Sequence, residues 1–140
     1  MQLPVKVHYA TLAMLALAAK HSSKEPLSAR AIAQEHGIPS QFLTQILQQL
    51  RSSNLVTSTR GANGGFLLEN SPESISLADI FDSICPTSGG AAAEEESSVY
   101  AEAVHAVWEE LRKQERKTLE SVNLNELLER ASSNTDMFYI

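Results

Sequence analysis

Cysteine and long hydrophobic runs are what this sequence most clearly lacks. One cysteine, Cys85, occurs in 140 residues, which excludes an intrachain disulfide framework and a CxxC zinc motif and fits a reducing cytoplasm. The longest apolar run covers only residues 12–19 and is too short to span a bilayer. No phosphate-binding P-loop, metal-ligand constellation or nucleophile–base pair is present in the sequence either. We therefore expect a cytoplasmic globular protein that is not an enzyme.

Basic residues are also scarce, and the net charge of −6 is unevenly distributed. Residues 1–70 contain six lysines and arginines against three glutamates, which gives this half a net charge of +3. Residues 71–140 contain five basic and fourteen acidic residues, which gives −9. The first half can therefore approach a polyanion although the whole chain is acidic.

The first 23 residues imitate a secretory signal, because a lysine precedes a stretch rich in alanine and leucine. The alternative is a core helix that runs from about Pro4 to His21 with Leu12, Leu15 and Ala19 on one side. We favour the core helix, because its loss would remove a packing partner from the helices that follow.

The next segment has the pattern of two helices joined by a tight turn. Ser28 is expected to begin the first of them, Gly37 to cap its end, and Ser40 to form the N-cap of the second. Apolar residues of the second helix recur at the spacing of a buried stripe that Phe42 widens: Leu43, Ile46, Leu47 and Leu50. This arrangement is typical of helix-turn-helix proteins, whose second helix enters the DNA major groove.

The other face of that second helix carries uncharged polar side chains, namely Gln41, Thr44, Gln45 and Gln48. Amide groups can form paired hydrogen bonds with base edges in the major groove. A plain solvated face is the alternative interpretation. The helix-turn-helix context favours the interpretation as a base-reading surface.

Two short β-type runs follow, joined by the residues RGANGG at 60–65. Asn63-Gly64 is a strong hairpin signal, because both positions can adopt positive φ. A hairpin after a reading helix is a wing, and a slim glycine-rich tip can carry Arg60 into the narrow minor groove. The alternative is a tight turn with an incidental arginine.

The acidic second half predicts two further helices. A short one follows the serine cap at Ser76, and a long one runs from about Ser97 to Val122. The long helix carries an apolar stripe: Tyr100, Val104, Val107, Trp108, Leu111, Thr118, Leu119 and Val122. So small a domain has little core left to cover this stripe, so we expect a second chain to cover it in a homodimer. The operator of a C₂ dimer should be an inverted repeat.

Several stretches together make the chain similar to the Rrf-type winged helix-turn-helix transcription regulators, which include IscR, NsrR and CymR. These are KVHYATLAML, LSARAIAQEHGIPSQFLTQILQQLRSSNLVTSTRGANGGFLL, ISLADIFDSI, HAVWEEL and VNLNELL, which cover nearly the whole chain in order. The resemblance implies that Arg60 contacts the minor groove and that Gln41 and Thr44 contact bases. It also implies that Lys6 and Tyr9 lie near the phosphate backbone.

Sequence and resemblance together divide the chain into three parts. Residues 1–84 form a mainly α winged helix-turn-helix domain with a small β-hairpin, residues 85–98 a flexible loop at the family's sensor position, and residues 99–140 the dimerisation helix and C-terminal segment. The expected DNA-binding residues are Lys6, Tyr9, Ser40, Gln41, Thr44, Gln45, Gln48, Arg60, Gly61, Asn63 and Gly64.

The chain departs from the cluster-binding relatives in the sensor region. Those relatives carry three closely spaced cysteines before the long helix, whereas this chain has none there. His105 falls at the position of an IscR cluster ligand, and Glu102 falls where the last cysteine would be. An iron–sulfur cluster needs mostly thiolates, so we expect no cofactor. A site of mixed Glu102, His105 and Cys85 ligation is left open.

The sequence therefore predicts a dimeric DNA-binding regulator, in the role of a repressor, without a conventional iron–sulfur cluster. One alternative is a winged-helix protein-interaction module that a partner enzyme controls. Another is a redox or iron–sulfur sensor with unusual ligation. An enzyme with Cys85 as nucleophile is the least favoured, because no basic residue near it in sequence would stabilise the thiolate.

Overall fold

The computed structural model describes residues 3–86 and 98–138. Within these ranges it contains six α-helices: α1 Val5–Ala19, α2 Ala29–His36, α3 Ser40–Ser52, α4 Leu77–Ile84, α5 Val99–Ser121 and α6 Leu124–Phe138. An antiparallel hairpin of β1 (Val56–Thr59) and β2 (Gly65–Leu68) follows α3, and a single 3₁₀ turn precedes α4. This mainly helical architecture with one small hairpin confirms the predicted fold class.

Helix α1 lies in the centre of the core. Its alanines are small enough for neighbouring elements to approach closely, and Ala10, Ala13 and Met14 have no exposed surface. The helix packs against α2, α3, α4, α6 and β2. The predicted core helix is therefore confirmed, although it begins at Val5 and ends at Ala19.

Helices α2 and α3 form the predicted helix-turn-helix. The hydroxyl of Ser28 accepts a hydrogen bond from the main-chain N–H of Ala31 at the start of α2, and Gly37 caps its end with φ of 64°. Ile38 in the turn is buried in the core. The prediction of Ser40 as N-cap is wrong by one residue. Helical hydrogen bonding already begins at the carbonyl of Pro39, which accepts from Leu43 N–H at 3.0 Å.

The apolar stripe of α3 is buried as predicted, at Leu43, Ile46, Leu47 and Leu50. Phe42 does not widen it, since this side chain is 41% exposed. Position 42 lies at the edge of the stripe, where the phenyl ring contacts the Tyr9 ring at a centroid distance of 6.1 Å. The stripe fixes which side of α3 faces away from the core.

The hairpin pairs Val56 with Leu68 and Thr59 with Gly65. Strand β2 is also joined to the segment before α2, because Phe66 and Leu27 exchange two main-chain hydrogen bonds. The expected positive φ at Asn63 and Gly64 is wrong. The loop between the strands spans five residues, and the positive φ in it occurs at Gly61, at 112°.

The C-terminal helices pack against earlier elements of the chain: α5 against α4, and α6 against α1 and the 3₁₀ turn. Ser76 and Asp79 form a capping box at the start of α4. The chain before α6 forms main-chain hydrogen bonds with the chain before α4, including one from Leu124 N–H to the carbonyl of Ile75.

Among the described helices, none has both the length and the apolar character that crossing a membrane requires.

Candidate nucleic-acid interface

The polar face of α3 is exposed. Gln41, Thr44, Gln45 and Gln48 all point away from the core, because the buried stripe occupies the opposite side. Thr44, which is exposed, donates its hydroxyl proton to the carbonyl of Ser40 at 3.0 Å, and its oxygen can still accept a hydrogen bond. The face therefore offers three amides, a hydroxyl oxygen and a methyl group to a partner surface.

Two residues of α1 lie beside this face. Lys6 lines a concavity of about 420 Å³ together with Gln45, Gln48, Gln49, Ser52, Ser53 and Ser83. Tyr9 is half-buried and holds its ring against Phe42 of α3. The structure thus brings both residues that were predicted to lie near the phosphate backbone next to α3.

Within the concavity, the three serine hydroxyls are occupied by contacts inside the protein. Ser52 donates to the carbonyl of Gln48 at 2.9 Å, Ser83 donates to the carbonyl of Gln49 at 3.2 Å, and the oxygens of Ser53 and Ser83 are 2.6 Å apart. Lys6 is therefore the charged residue that lines this concavity. Two of the three hydroxyl contacts in it are hydrogen bonds between Ser83 of α4 and the end of α3.

The hairpin tip is narrow and carries Arg60 on its exposed surface. A turn closes the tip through a hydrogen bond from Gly64 N–H to the carbonyl of Gly61 at 3.0 Å. Gly61 has a positive φ, and a Cβ atom on Gly64 would overlap the Thr59 carbonyl oxygen. Both glycines are therefore required by the backbone. Asn63 is exposed beside them.

Arg51 is a residue that the sequence did not single out. It lies in the last turn of α3 and donates a hydrogen bond from Nη1 to the hydroxyl oxygen of Ser58 on β1, at 3.1 Å. The signal was available in the spacing, because Arg51 follows Thr44 by seven residues and so continues the exposed face of α3.

The charged residues of α3 and the hairpin have one sign. No acidic residue occurs between Glu35 and Glu69, whereas Arg51 and Arg60 lie in that interval. The described surface of α3 and the hairpin is therefore positive and has no carboxylate of its own between these limits. Such a surface attracts a polyanion.

Within the described residues, the three side chains considered for a sensing role do not form a cluster. Cys85 is half-buried at the end of α4, and Glu102 and His105 are exposed on α5. The imidazole Nε2 of His105 is 4.0 Å from Glu109 Oε1. In residues 3–86 and 98–138, no group of three or more histidine, cysteine or acidic side chains could hold a metal. Most of the expected loop, residues 87–97, lies outside the described residues.

Helix α5 is attached to the rest of the chain through its second half. Arg116 forms ion pairs with Asp82 of α4 and with Glu120, and these two carboxylates raise the pKa of its guanidinium. Within the described chain, none of the 23 residues of α5 is buried. Its exposed apolar side chains are Val99, Tyr100, Val104, Val107, Trp108 and Leu111.

The sequence matches one family model over residues 3–130, described as Rrf2, an iron-dependent transcriptional regulator. The transcriptional regulator CymR of Bacillus subtilis (strain 168) is 32% identical over 143 residues, which covers the whole of both chains.

Solved structures of two such regulators have the same fold. IscR of T. potens superposes with a TM-score of 0.78 at 30% identity, over 94% of this chain and 88% of that one. CymR of B. subtilis, described as its global cysteine regulator, superposes with a TM-score of 0.77 at 31% identity, over 91% of this chain and 95% of that one. Both similarities extend over more than nine tenths of this chain.

Proposed function

This chain belongs to the Rrf2 family of transcriptional regulators, and from that premise we propose that it is a homodimeric repressor of transcription in the cytoplasm. Its ligand is an inverted-repeat operator in double-stranded DNA. The observation that carries the proposal is the continuous face formed by α3 and the hairpin, which combines exposed amides with two arginines and has no acidic residue.

Helix α3 supplies the contacts to the major groove. Its buried stripe fixes the orientation of the helix, so the side of α3 that carries Gln41 and Thr44 faces outward. Glutamine amides pair with adenine, and the threonine methyl group suits the thymine methyl. Ser40, Gln45 and Gln48 extend the same surface to neighbouring bases or phosphates. Lys6 and Tyr9 from α1 contact the phosphate backbone beside it.

The hairpin supplies the contact to the minor groove. A tip built on Gly61 and Gly64, with the small exposed Asn63 between them, is narrow enough to approach the groove floor. Arg60 then places a guanidinium where the negative potential of A·T-rich DNA is strongest. Specificity therefore comes from two adjacent grooves on the same face of the duplex.

The dimer forms through α5. A helix of this length extends about 35 Å, and an apolar stripe on it that is exposed in the single chain requires a covering surface. A second α5 offers the same stripe by symmetry. The two α3 helices of the dimer then address half-sites about one helical turn apart.

The regulator works without a conventional iron–sulfur cluster. The family description implies iron, but clusters are held mainly by cysteine thiolates and the whole chain has one cysteine. The donors present do not fit such a group. Protein purified without oxygen should show no absorption above the aromatic band and no stoichiometric iron. A visible band would overturn this part of the proposal and favour mixed ligation by Cys85, Glu102 and His105.

Binding to DNA selected from a pool of random duplexes tests the proposal directly. We expect selection of an inverted repeat, and an affinity that falls steeply as salt rises, because bound phosphates release counterions. Arg60→Ala should cost about 1–3 kcal/mol of binding free energy and weaken the preference for A·T at the wing position. Absence of binding at low salt would instead favour a protein-interaction module.

The repressor role needs a separate measurement. Transcription in vitro from a promoter that overlaps the selected operator should fall as the protein is added. The same promoter with a scrambled operator is the control. A rise in transcription would show an activator and leave the DNA-binding assignment intact.

A further inference from the structure

Arg51 occupies the space between the two elements that are proposed to enter DNA. It projects from the last turn of α3, and its Nη1 donates to the Ser58 hydroxyl 3.1 Å away on the first strand of the hairpin. Both side chains are exposed. The guanidinium therefore joins the reading helix to the wing on the outer surface of the protein.

The position of Ser58 relates this contact to the wing tip. Side chains alternate along a strand, so residues 56 and 58 share one side of β1. Val56 on that side is buried against the core, whereas Ser58 is exposed nearer the tip. Arg60 follows the end of β1 at Thr59, so Arg51 contacts the strand that leads directly to the minor-groove arginine.

A duplex places sugar-phosphate backbone between its major groove and the adjacent minor groove. A protein with a helix in one groove and a hairpin in the other must pass over that backbone. The group located between helix and hairpin therefore faces phosphates. Two arginines, Arg51 and Arg60, lie between Glu35 and Glu69 in the sequence. Of these, Arg51 is the one that lies between α3 and the hairpin, where the protein must pass over the backbone.

We infer that Arg51, oriented by Ser58, binds the phosphodiester backbone of double-stranded DNA between the grooves that α3 and the wing occupy. The inference rests on the proposed function. The hydroxyl of Ser58 uses one of the five N–H donors of the guanidinium, so the remaining donors are available for phosphate oxygens. The contact carries no base information, and it sets the register of the wing relative to α3.

Salt titration with the selected duplex and with a scrambled duplex tests this role. The slope of log K against log salt should be shallower in Arg51→Ala by about 0.9 for each protomer. The ratio of wild-type affinity to Arg51→Ala affinity should then decrease by about 3.5-fold per protomer when the salt concentration rises fourfold. The loss should be equal on both duplexes, whereas a residue that reads bases would lose affinity mainly on the selected one.

Three other variants separate charge from structure. Arg51→Lys should retain the wild-type slope, because the cation is kept. Ser58→Ala should also retain the slope and bind more weakly, because the cation is less well oriented. Arg130→Ala removes an arginine from α6, where it pairs with Glu126, and should leave both slope and affinity unchanged.

A wild-type slope in a folded Arg51→Ala protein would overturn the inference. If Arg51→Ala lowers the urea midpoint of unfolding, the salt slope of Arg51→Gln is measured instead, since glutamine keeps a long polar side chain without the charge. A wild-type slope in Arg51→Gln would overturn the inference in the same way. Failure of the proposed function would give a different result. The wild-type protein would then bind neither duplex at low salt, and no slope could be measured.

Discussion

The carbonyl oxygen of Thr59 occupies the place where a Cβ atom would lie on Gly64. The strand that delivers Arg60 and the chain that leaves the wing tip are therefore packed closer than any residue except glycine permits. Gly64→Ala should force the tip apart, a type of overpacking that typically costs about 1–3 kcal/mol. We expect weaker DNA binding with most of the fold intact.

Fluorescence anisotropy with a labelled operator measures the binding, and urea unfolding measures the stability. Ala62→Ser, an exposed change in the same turn, is the matched control and should bind like wild type. Wild-type affinity in Gly64→Ala would show that the tip conformation has no role in DNA binding.

The hairpin also shows how far the sequence could predict the site. Two short β-type runs indicated where both strands lie, because strand patterns and turn residues are local signals. The backbone conformation of the tip depends on how many residues close the loop. Five residues close it here, so the positive φ falls at Gly61 rather than at Asn63 and Gly64.

Met14 gives a prediction for the core. It has no exposed surface in the middle of α1, within the stretch that imitates a secretory signal. Met14→Ala should lower the free energy of unfolding by about 2–5 kcal/mol, since it removes buried contacts and leaves a cavity. Met14→Leu, which keeps the volume, should cost less than about 1.5 kcal/mol. Equal urea midpoints for wild type and Met14→Ala would contradict the central position of α1.

Buried positions were easier to predict than interfacial ones for a physical reason. The period of apolar residues fixes the inner side of α3, so Leu43 to Leu50 were identified from spacing alone. Arg51 is exposed, and its partner Ser58 belongs to a strand whose position relative to α3 depends on tertiary packing. Its contact could therefore be recognised only once helix and hairpin were in place.

The ion pair between Asp82 and Arg116 predicts a measurable coupling between α4 and α5. Both side chains are partly exposed, so salt should screen their attraction. In a double-mutant cycle of Asp82→Asn and Arg116→Gln, the coupling in unfolding free energy should decrease from 50 mM to 1 M salt. The same cycle on the Arg130–Glu126 pair, which lies within α6, gives the coupling of an ion pair that does not join two helices. A coupling that is unchanged by salt would indicate that packing rather than charge joins the helices.

The sole tryptophan of the chain reports on the apolar stripe of α5. Trp108 is 53% exposed in the single chain, so its emission should lie at long wavelength in a monomer and shift to shorter wavelength when a second chain covers it. Val107→Glu, which buries a charge in the same stripe, should favour the monomer. Lys117→Glu adds negative charge outside the stripe and should leave the dimer intact.

Sedimentation and emission spectra measured over a dilution series test the dimer together. We expect wild type and Lys117→Glu to sediment as dimers at micromolar concentration, with emission at shorter wavelength than Val107→Glu. On dilution, the mass and the emission wavelength should change at the same concentration, because a single event covers Trp108. A wild-type monomer at micromolar concentration would contradict dimerisation through α5, and a dimer with unshifted emission would place the contact elsewhere on the chain.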